Sequence, residues 1–160
     1  MRKICKIFLV LSGMMILSCL VCVHAEEYSG SNSAKASILI EALTGDILYA
    51  KNENAQLPMA STTKIMSALI ALSQPNLDEI FVVDPNAIKV EGSSMGLVEG
   101  DQVTLRSLAY GMLLPSGNDA ANATAVRVSG SVDAFVALMN QTAVTLGLNN
   151  THFSTPSGLD

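Results

Sequence analysis

The sequence predicts a mixed α/β (α+β) fold that follows an N-terminal export signal. Short apolar runs bounded by turn residues, early in the mature chain, predict β-strands. Longer segments further along carry apolar residues at helical spacing and predict α-helices. Hydrophobic residues make up 49% of the 160 residues, so the chain has enough apolar side chains to bury a modest core.

The first 25 residues predict a secretory signal peptide. A basic start at residues 2–6 precedes an almost wholly apolar stretch at 7–23. Small residues at Val23 and Ala25 place the cleavage after Ala25. Two alternatives stay open, namely an uncleaved membrane anchor and lipid attachment at Cys19. The chain is therefore expected to be exported to the cell envelope or the extracellular space.

Composition excludes several functions for the mature chain. All three cysteines precede the cleavage point, which excludes disulfides and thiol catalysis after cleavage. The one remaining histidine, His152, has no base-like setting, and we expect it to have a structural hydrogen-bonding role. Cleavage leaves six basic residues against fourteen acidic ones, a net charge of -8, which disfavours nucleic acid as a partner. No metal site and no cofactor is predicted.

The mature chain begins with a polar segment and two strands. Residues 26–35 are rich in Ser, Gly and Asn and predict a flexible lead-in. Residues 37–41 and 47–50 are apolar runs on either side of a turn with Gly45, which predicts a β-hairpin. Two strands are not stable alone in water, so we expect further strands or a packed helix to cover them.

The rest of the chain predicts mainly helices. A short strand is predicted at residues 79–83. Thr104 predicts the N-cap of a helix whose face includes Leu113 and which Pro115 stops. An alanine-rich helix follows. The last helix is predicted to start after Ser131, to carry Leu146 on one face together with Phe135 and Met139, and to end at Gly147.

A serine and a lysine three residues apart give the first chemical signal. Ser61 and Lys64 lie where an apolar helix is predicted to begin, and three residues is close to one helical turn. The helix dipole and burial both lower a lysine pKa in this position, so the amine can act as a general base for the hydroxyl. The alternative is a purely structural pair, with Ser61 as the N-cap and Lys64 as a solvated first-turn residue.

A second hydroxyl and an amide lie on a tight turn between two predicted helices. Ser116 and Asn118 follow Pro115, and such a turn can hold both side chains toward a cleft. The same residues are also ordinary turn chemistry, and Asp119 suits a helix N-terminus. Residues 91–96 predict a surface turn.

Four segments together resemble the penicillin-binding D-alanyl-D-alanine carboxypeptidases, the low-molecular-mass serine peptidases that trim peptidoglycan stem peptides. They occur in family-like order and spacing, and they are Ile40–Tyr49, Ala60–Lys64, Leu113–Ala121 and Asn150–Phe153. The resemblance implies a β-lactamase/transpeptidase-like fold, in which an antiparallel sheet is flanked by helices and joined by a helical subdomain. It makes residues 36–160 the N-terminal part of a catalytic domain, truncated before the later sheet strands.

The resemblance also implies roles for individual residues. Ser61 corresponds to the nucleophile that forms the acyl-enzyme, and its backbone N–H to half of the oxyanion hole. Lys64 corresponds to the base, Ser116 to the serine that relays protons to the leaving D-alanine, and Asn118 to the residue that holds the substrate backbone. The implied partners are stem peptides ending in D-Ala-D-Ala and β-lactam antibiotics, and the resemblance allows peripheral membrane association.

Two departures from the family pattern are visible. Ser157 stands where the family commonly has a histidine. The family's Lys-Thr-Gly motif, which supplies the carboxylate site and the other oxyanion donor, is expected on a strand beyond Asp160. A class A β-lactamase is an alternative, although those enzymes usually have Ser-Asp-Asn where this chain has Ser-Gly-Asn. A non-catalytic, wall-associated truncated homologue is another.

Overall fold

Two apolar runs around a glycine turn form an antiparallel hairpin, as the sequence predicts. The computed structural model describes residues 32–159, with β1 at Ser37–Ile40 and β2 at Ile47–Lys51. The strands pair antiparallel, with an irregularity between Leu39 and Ile40. Gly45 turns the chain at a φ of +78°, a conformation that glycine adopts without steric cost. The hairpin belongs to a first unit that ends at Ala55.

Both faces of the hairpin carry exposed apolar side chains. Ile38 is 48% exposed and Leu39, on the opposite face, is 55% exposed. Within residues 32–159, β1 and β2 pair only with each other. The Nζ of Lys51 donates to the carbonyls of Asn32 and Ala34 at 2.8 and 2.7 Å, so this part of the lead-in is bonded to β2. The predicted signal peptide, its cleavage site and residues 26–31 lie outside the described residues.

The second unit starts at Gln56 and is mainly helical. Its elements are α1 (Lys64–Leu72), β3 (Phe81–Val82), β4 (Gln102–Val103), α2 (Leu105–Leu113), α3 (Asn118–Ser129) and α4 (Val132–Thr145). β3, which lies within the strand predicted at residues 79–83, pairs antiparallel with β4. The sequence did not predict β4. From residue 32 to 159, no helix is both long and apolar enough to cross a membrane.

The two predicted N-caps are confirmed. Thr104 Oγ1 accepts the backbone N–H of Ser107 at 3.1 Å, and the Ser107 hydroxyl reciprocates on the backbone N–H of Thr104. Ser131 Oγ accepts the N–H of Ala134 at 3.1 Å. Each cap satisfies a donor that the first helical turn leaves without a partner, which is why these residues begin α2 and α4.

Two apolar cores hold the helices together, and α1 contributes to both. The first core joins α1, α2 and α3 through Ala68, Ala71, Leu108, Met112, Ala120 and Ala121. The second joins α1, α3 and α4 through Met66, Ile70, Ala125, Phe135, Met139 and Phe153. Because α1 is packed on two sides, the turn that leads into it has a firm support.

The structure corrects three details of the predicted helices. α1 begins at Lys64, after a 3-10 turn at Ala60–Thr63. Ser61 lies within that turn and caps no helix, so the capping interpretation of Ser61 is wrong. Leu113 and Leu146 were predicted to share a face with core residues of their helices, but both are about half exposed because each lies at the end of its helix, past the packed core.

Candidate active site

Ser61 and Lys64 lie in contact at the start of α1. The Nζ of Lys64 is 3.2 Å from Ser61 Oγ, and it also donates to the backbone carbonyl of Ser157 at 3.0 Å. Lys64 is only 1% exposed, and among residues 32–159 no carboxylate pairs with it. Burial without a counter-charge lowers the pKa of Lys64. The interpretation of Lys64 as a solvated residue is therefore wrong.

Ser61 is exposed while the lysine behind it is buried. The residue before it, Ala60, has a φ of +47°, which is unfavourable for a residue with a Cβ. Such strain collects at functional sites, where the surrounding structure enforces it. An outward hydroxyl with an amine of lowered pKa in hydrogen-bond reach is the arrangement that an activated serine nucleophile requires.

The chain returns to this turn at residues 153–158, which we call the 153–158 segment. Ser67 Oγ donates to the carbonyl of Pro156 at 2.6 Å. Gly158, at a φ of +76°, lies so close to Ala60 that an added Cβ would be 2.6 Å from its carbonyl carbon. No pattern in the sequence placed this segment at the site. The available signal was Gly158 itself, because a glycine often marks a close approach of two backbones.

Ser157 contacts Lys64 through its backbone and not through its side chain. The atom that accepts from Lys64 Nζ is the backbone carbonyl, which any residue provides. The Ser157 side chain instead accepts the N–H of Leu159 at 3.2 Å. The substitution at this position therefore leaves the contact with the lysine in place.

Ser116 combines two unfavourable features on the turn between α2 and α3. Its φ is +61°, and its Oγ is buried without a hydrogen-bond partner in the part of the chain that the structure describes. A buried polar group without a partner costs about 1–3 kcal/mol. Strain and an unsatisfied hydroxyl at one residue are typical of a functional position. No hydrogen bond within residues 32–159 joins Ser116 to Ser61 or Lys64.

Asn118 is the first residue of α3 and holds the loop at residues 91–97. Its Nδ2 donates to the carbonyl of Glu91 at 2.7 Å, and its backbone N–H donates to the carbonyl of Ser93 at 2.8 Å. The side-chain nitrogen is thus used inside the protein, while Oδ1 makes no hydrogen bond to any described residue. The predicted surface turn at 91–96 is mostly exposed, but it is bonded to α3.

Asp119 fixes the same loop from beneath. Its buried carboxylate accepts from Ser94 Oγ at 2.6 Å and from the backbone N–H groups of Met95 and Leu97 at 3.0 Å each. Burial raises the pKa of Asp119, but the hydrogen bonds outweigh burial and leave the pKa below its ordinary value. Asp119 therefore links α3 to the loop, a role that the sequence analysis missed when it assigned Asp119 to the helix N-terminus alone.

His152 and the acidic residues form no metal site within the part of the chain that the structure describes. His152 is exposed and forms no hydrogen bond within residues 32–159, so its predicted structural bonding is not observed. Across the same residues, no group of three His, Cys, Asp or Glu side chains is placed to hold a metal ion.

Residues 23–160 match the family described as D-alanyl-D-alanine carboxypeptidase. The chain belongs to the D-alanyl-D-alanine carboxypeptidase family. It is 40% identical over 134 residues to D-alanyl-D-alanine carboxypeptidase DacF of Bacillus subtilis, in an alignment that covers 81% of this chain and 34% of the relative. This chain thus spans about a third of the length of that curated relative.

Solved structures of family members share the fold. The crystal structure of D-alanyl-D-alanine carboxypeptidase from Mycobacterium tuberculosis matches with a TM-score of 0.77 at 39% identity, over 82% of this chain and 49% of that one. Penicillin binding protein 6B from Escherichia coli matches with a TM-score of 0.71 at 36% identity, over 82% and 45%. The predicted family and the predicted β-lactamase/transpeptidase-like fold are confirmed.

Proposed function

We propose that this member of the family is a serine-type D-Ala-D-Ala carboxypeptidase, which removes the terminal D-alanine from peptidoglycan stem peptides. The observation that carries the proposal is the 3.2 Å contact between exposed Ser61 Oγ and buried Lys64 Nζ. The family, described as D-alanyl-D-alanine carboxypeptidase, supports the bond between the two terminal D-alanines as the one that is cleaved. A hydroxyl far below its own pKa needs a neighbouring base, and a lysine with a lowered pKa provides one.

The reaction proceeds in two steps. Ser61 Oγ attacks the carbonyl carbon of the penultimate D-alanine, and its proton passes to Lys64 Nζ. The peptide C–N bond breaks, the leaving amine takes a proton relayed through Ser116, and D-alanine departs from an acyl-Ser61 ester. Water then attacks the carbonyl carbon of the ester, the bond to Ser61 Oγ breaks, and the shortened stem peptide leaves with a new carboxyl group while a proton from the water returns to Ser61 Oγ. The backbone N–H of Ser61 supplies one donor to the developing oxyanion.

Ser116 and Asn118 contribute to this proposal through atoms that lack partners. Ser116 Oγ has none among the described residues, so rotation of this side chain toward a bound substrate breaks no hydrogen bond. The free Oδ1 of Asn118 suits an acceptor for a substrate backbone N–H. β-Lactams are proposed to acylate the same serine, because they present a reactive amide carbonyl. The site is proposed to act in the cell envelope, after export and removal of residues 1–25.

Release of D-alanine from a diacyl-Lys-D-Ala-D-Ala peptide tests the proposal. We would use the protein expressed from its complete gene. Wild type releases D-alanine, Ser61→Ala does not, and Ser73→Ala, which removes an exposed hydroxyl at the far end of α1, retains activity. Equal release by wild type and Ser61→Ala would refute the proposal. Rapid turnover of a chromogenic cephalosporin, instead of a long-lived adduct, would point to a β-lactamase.

A further inference from the structure

A buried serine connects α1 to the 153–158 segment. Ser67 lies one turn after Lys64 on the same helix, is 0% exposed, and donates to the carbonyl of Pro156 at 2.6 Å. Its other polar neighbour is the thioether of Met139, at 3.8 Å. A hydroxyl in such an apolar setting is costly unless it is hydrogen-bonded. Its bond goes to the residue directly before Ser157, whose carbonyl meets the lysine.

An asparagine on α4 holds the start of the same segment. Asn140 Nδ2 donates to the carbonyl of Phe153 at 2.8 Å, and Asn140 Oδ1 accepts the N–H of Phe153 at 2.9 Å. Both edges of one amide thus bind one backbone residue, which fixes its position and its orientation. The Phe153 side chain is buried in the second core, so the start of the 153–158 segment is fixed both by Asn140 and by the core.

We propose that Ser67 and Asn140 are positioning residues for the base Lys64. Ser67 fixes Pro156 and Asn140 fixes Phe153, and these two contacts place the Ser157 carbonyl 3.0 Å from Lys64 Nζ. When that carbonyl accepts one N–H of the neutral amine, the lone pair of Nζ remains available to accept the proton of Ser61 Oγ, 3.2 Å away. The inference rests on the proposed function, because it takes Lys64 as the base that activates Ser61.

The two residues act on the acylation step and not on initial binding. Ser67 is fully buried behind Lys64, and Asn140 bonds to the segment on the side of α4, so neither contributes to the exposed face of Ser61. Weakening the segment therefore displaces Lys64 Nζ relative to Ser61 Oγ. A misplacement of about 1 Å between reacting groups can cost a hundredfold in rate.

Stopped-flow acylation by a fluorescent penicillin separates the dissociation constant from the acylation rate constant. In the protein expressed from its complete gene, Ser67→Ala and Asn140→Ala are expected to lower the acylation rate constant roughly tenfold, with an unchanged dissociation constant. Ser67→Cys, which keeps a weak donor of similar size, restores part of the rate. If Asn140→Ala does not fold, Asn140→Asp keeps the acceptor for Phe153 and carries the same test.

Thr104→Ala is the matched control. It removes a hydroxyl that caps α2 and lowers the melting temperature without touching the 153–158 segment. If this control slows acylation as much as Ser67→Ala, or if the variants change only the dissociation constant, the inference is wrong. A wild type that no penicillin labels would refute the proposed function. A labelled wild type with unslowed Ser67 and Asn140 variants would refute this inference alone.

Discussion

Adding one methyl group at Gly158 should disturb the 3-10 turn at Ala60–Thr63, which contains Ser61. Gly158 has a φ of +76°, and an alanine Cβ there would meet the carbonyl oxygen of Ala60 and would lie 2.7 Å from Thr63 Oγ1. The first obstacle is backbone, which cannot rotate away. Because Ala60 precedes Ser61, we expect Gly158→Ala to move Ser61 Oγ relative to Lys64 Nζ.

The size of the effect follows from two costs. A residue with a Cβ in the left-handed region costs about 1–2 kcal/mol, and overpacking a tight contact adds about 1–3 kcal/mol. Gly158→Ala should therefore lower the free energy of unfolding by about 2–5 kcal/mol. Gly130 is a matched control, because its φ is +78° and nothing lies within 4 Å of an added Cβ. Gly130→Ala should incur only the first cost, about 1–2 kcal/mol.

Two assays on the protein from its complete gene distinguish the two variants. Urea unfolding gives the free energy of unfolding, and penicillin acylation reports the geometry at Ser61. We expect Gly158→Ala to slow acylation about tenfold to a hundredfold, because the hydroxyl and the amine separate, while Gly130→Ala keeps the wild-type rate. Equal losses of stability in both variants, with acylation unchanged in Gly158→Ala, would refute the packing described for residues 153–158.

Three further predictions follow from charge and exposure. The acylation rate should rise with pH as Lys64 loses its proton. Its half-maximum should lie below 10.5, the ordinary lysine value, because burial lowers the pKa of Lys64. Lys64→Ala should lower the acylation rate by about 10²–10⁴. The pKa of Asp119 lies below its ordinary value of 3.8, so its stabilisation is complete above that pH and is lost as the pH falls through the lowered pKa. Asp119→Asn should cost about 2–3 kcal/mol at neutral pH and flatten the acid-unfolding curve; an unchanged curve would contradict the bonding described. Residues 26–160 expressed alone should aggregate, as measured by light scattering. Ile65 and Leu69 expose an apolar stripe on α1, and the hairpin pairs with no third strand in residues 32–159. A monomer with cooperative unfolding would contradict this prediction.

Local patterns in the sequence predicted the parts of the fold that depend on neighbouring residues. The hairpin follows from two apolar runs around Gly45, and the starts of α2 and α4 follow from the capping chemistry of Thr104 and Ser131. The β3–β4 pair was not predicted in full, because a strand of two residues at Gln102–Val103 has no periodicity to detect. Its pairing with Phe81 depends on tertiary contacts.

The candidate site also has one contact that the local sequence predicts and others that it does not. Ser61 and Lys64 are three residues apart, so their contact could be predicted from helical spacing alone. The contacts of Lys64 and Ser67 with the 153–158 segment join residues far apart in sequence, since Lys64 meets Ser157 across 93 positions and Ser67 meets Pro156 across 89. No local pattern encodes such pairs. The resemblance to the family included residues 150–153, but it did not predict that the residues after them contact Lys64.

The most direct test of the account is the mass of the protein after reaction with penicillin. Intact mass spectrometry of the protein expressed from its complete gene, followed by peptide mapping, locates any covalent adduct. The account predicts one adduct per chain, on Ser61, and none in Ser61→Ala. An adduct on another residue, or equal labelling of wild type and Ser61→Ala, would contradict the assignment of Ser61 and Lys64 as nucleophile and base.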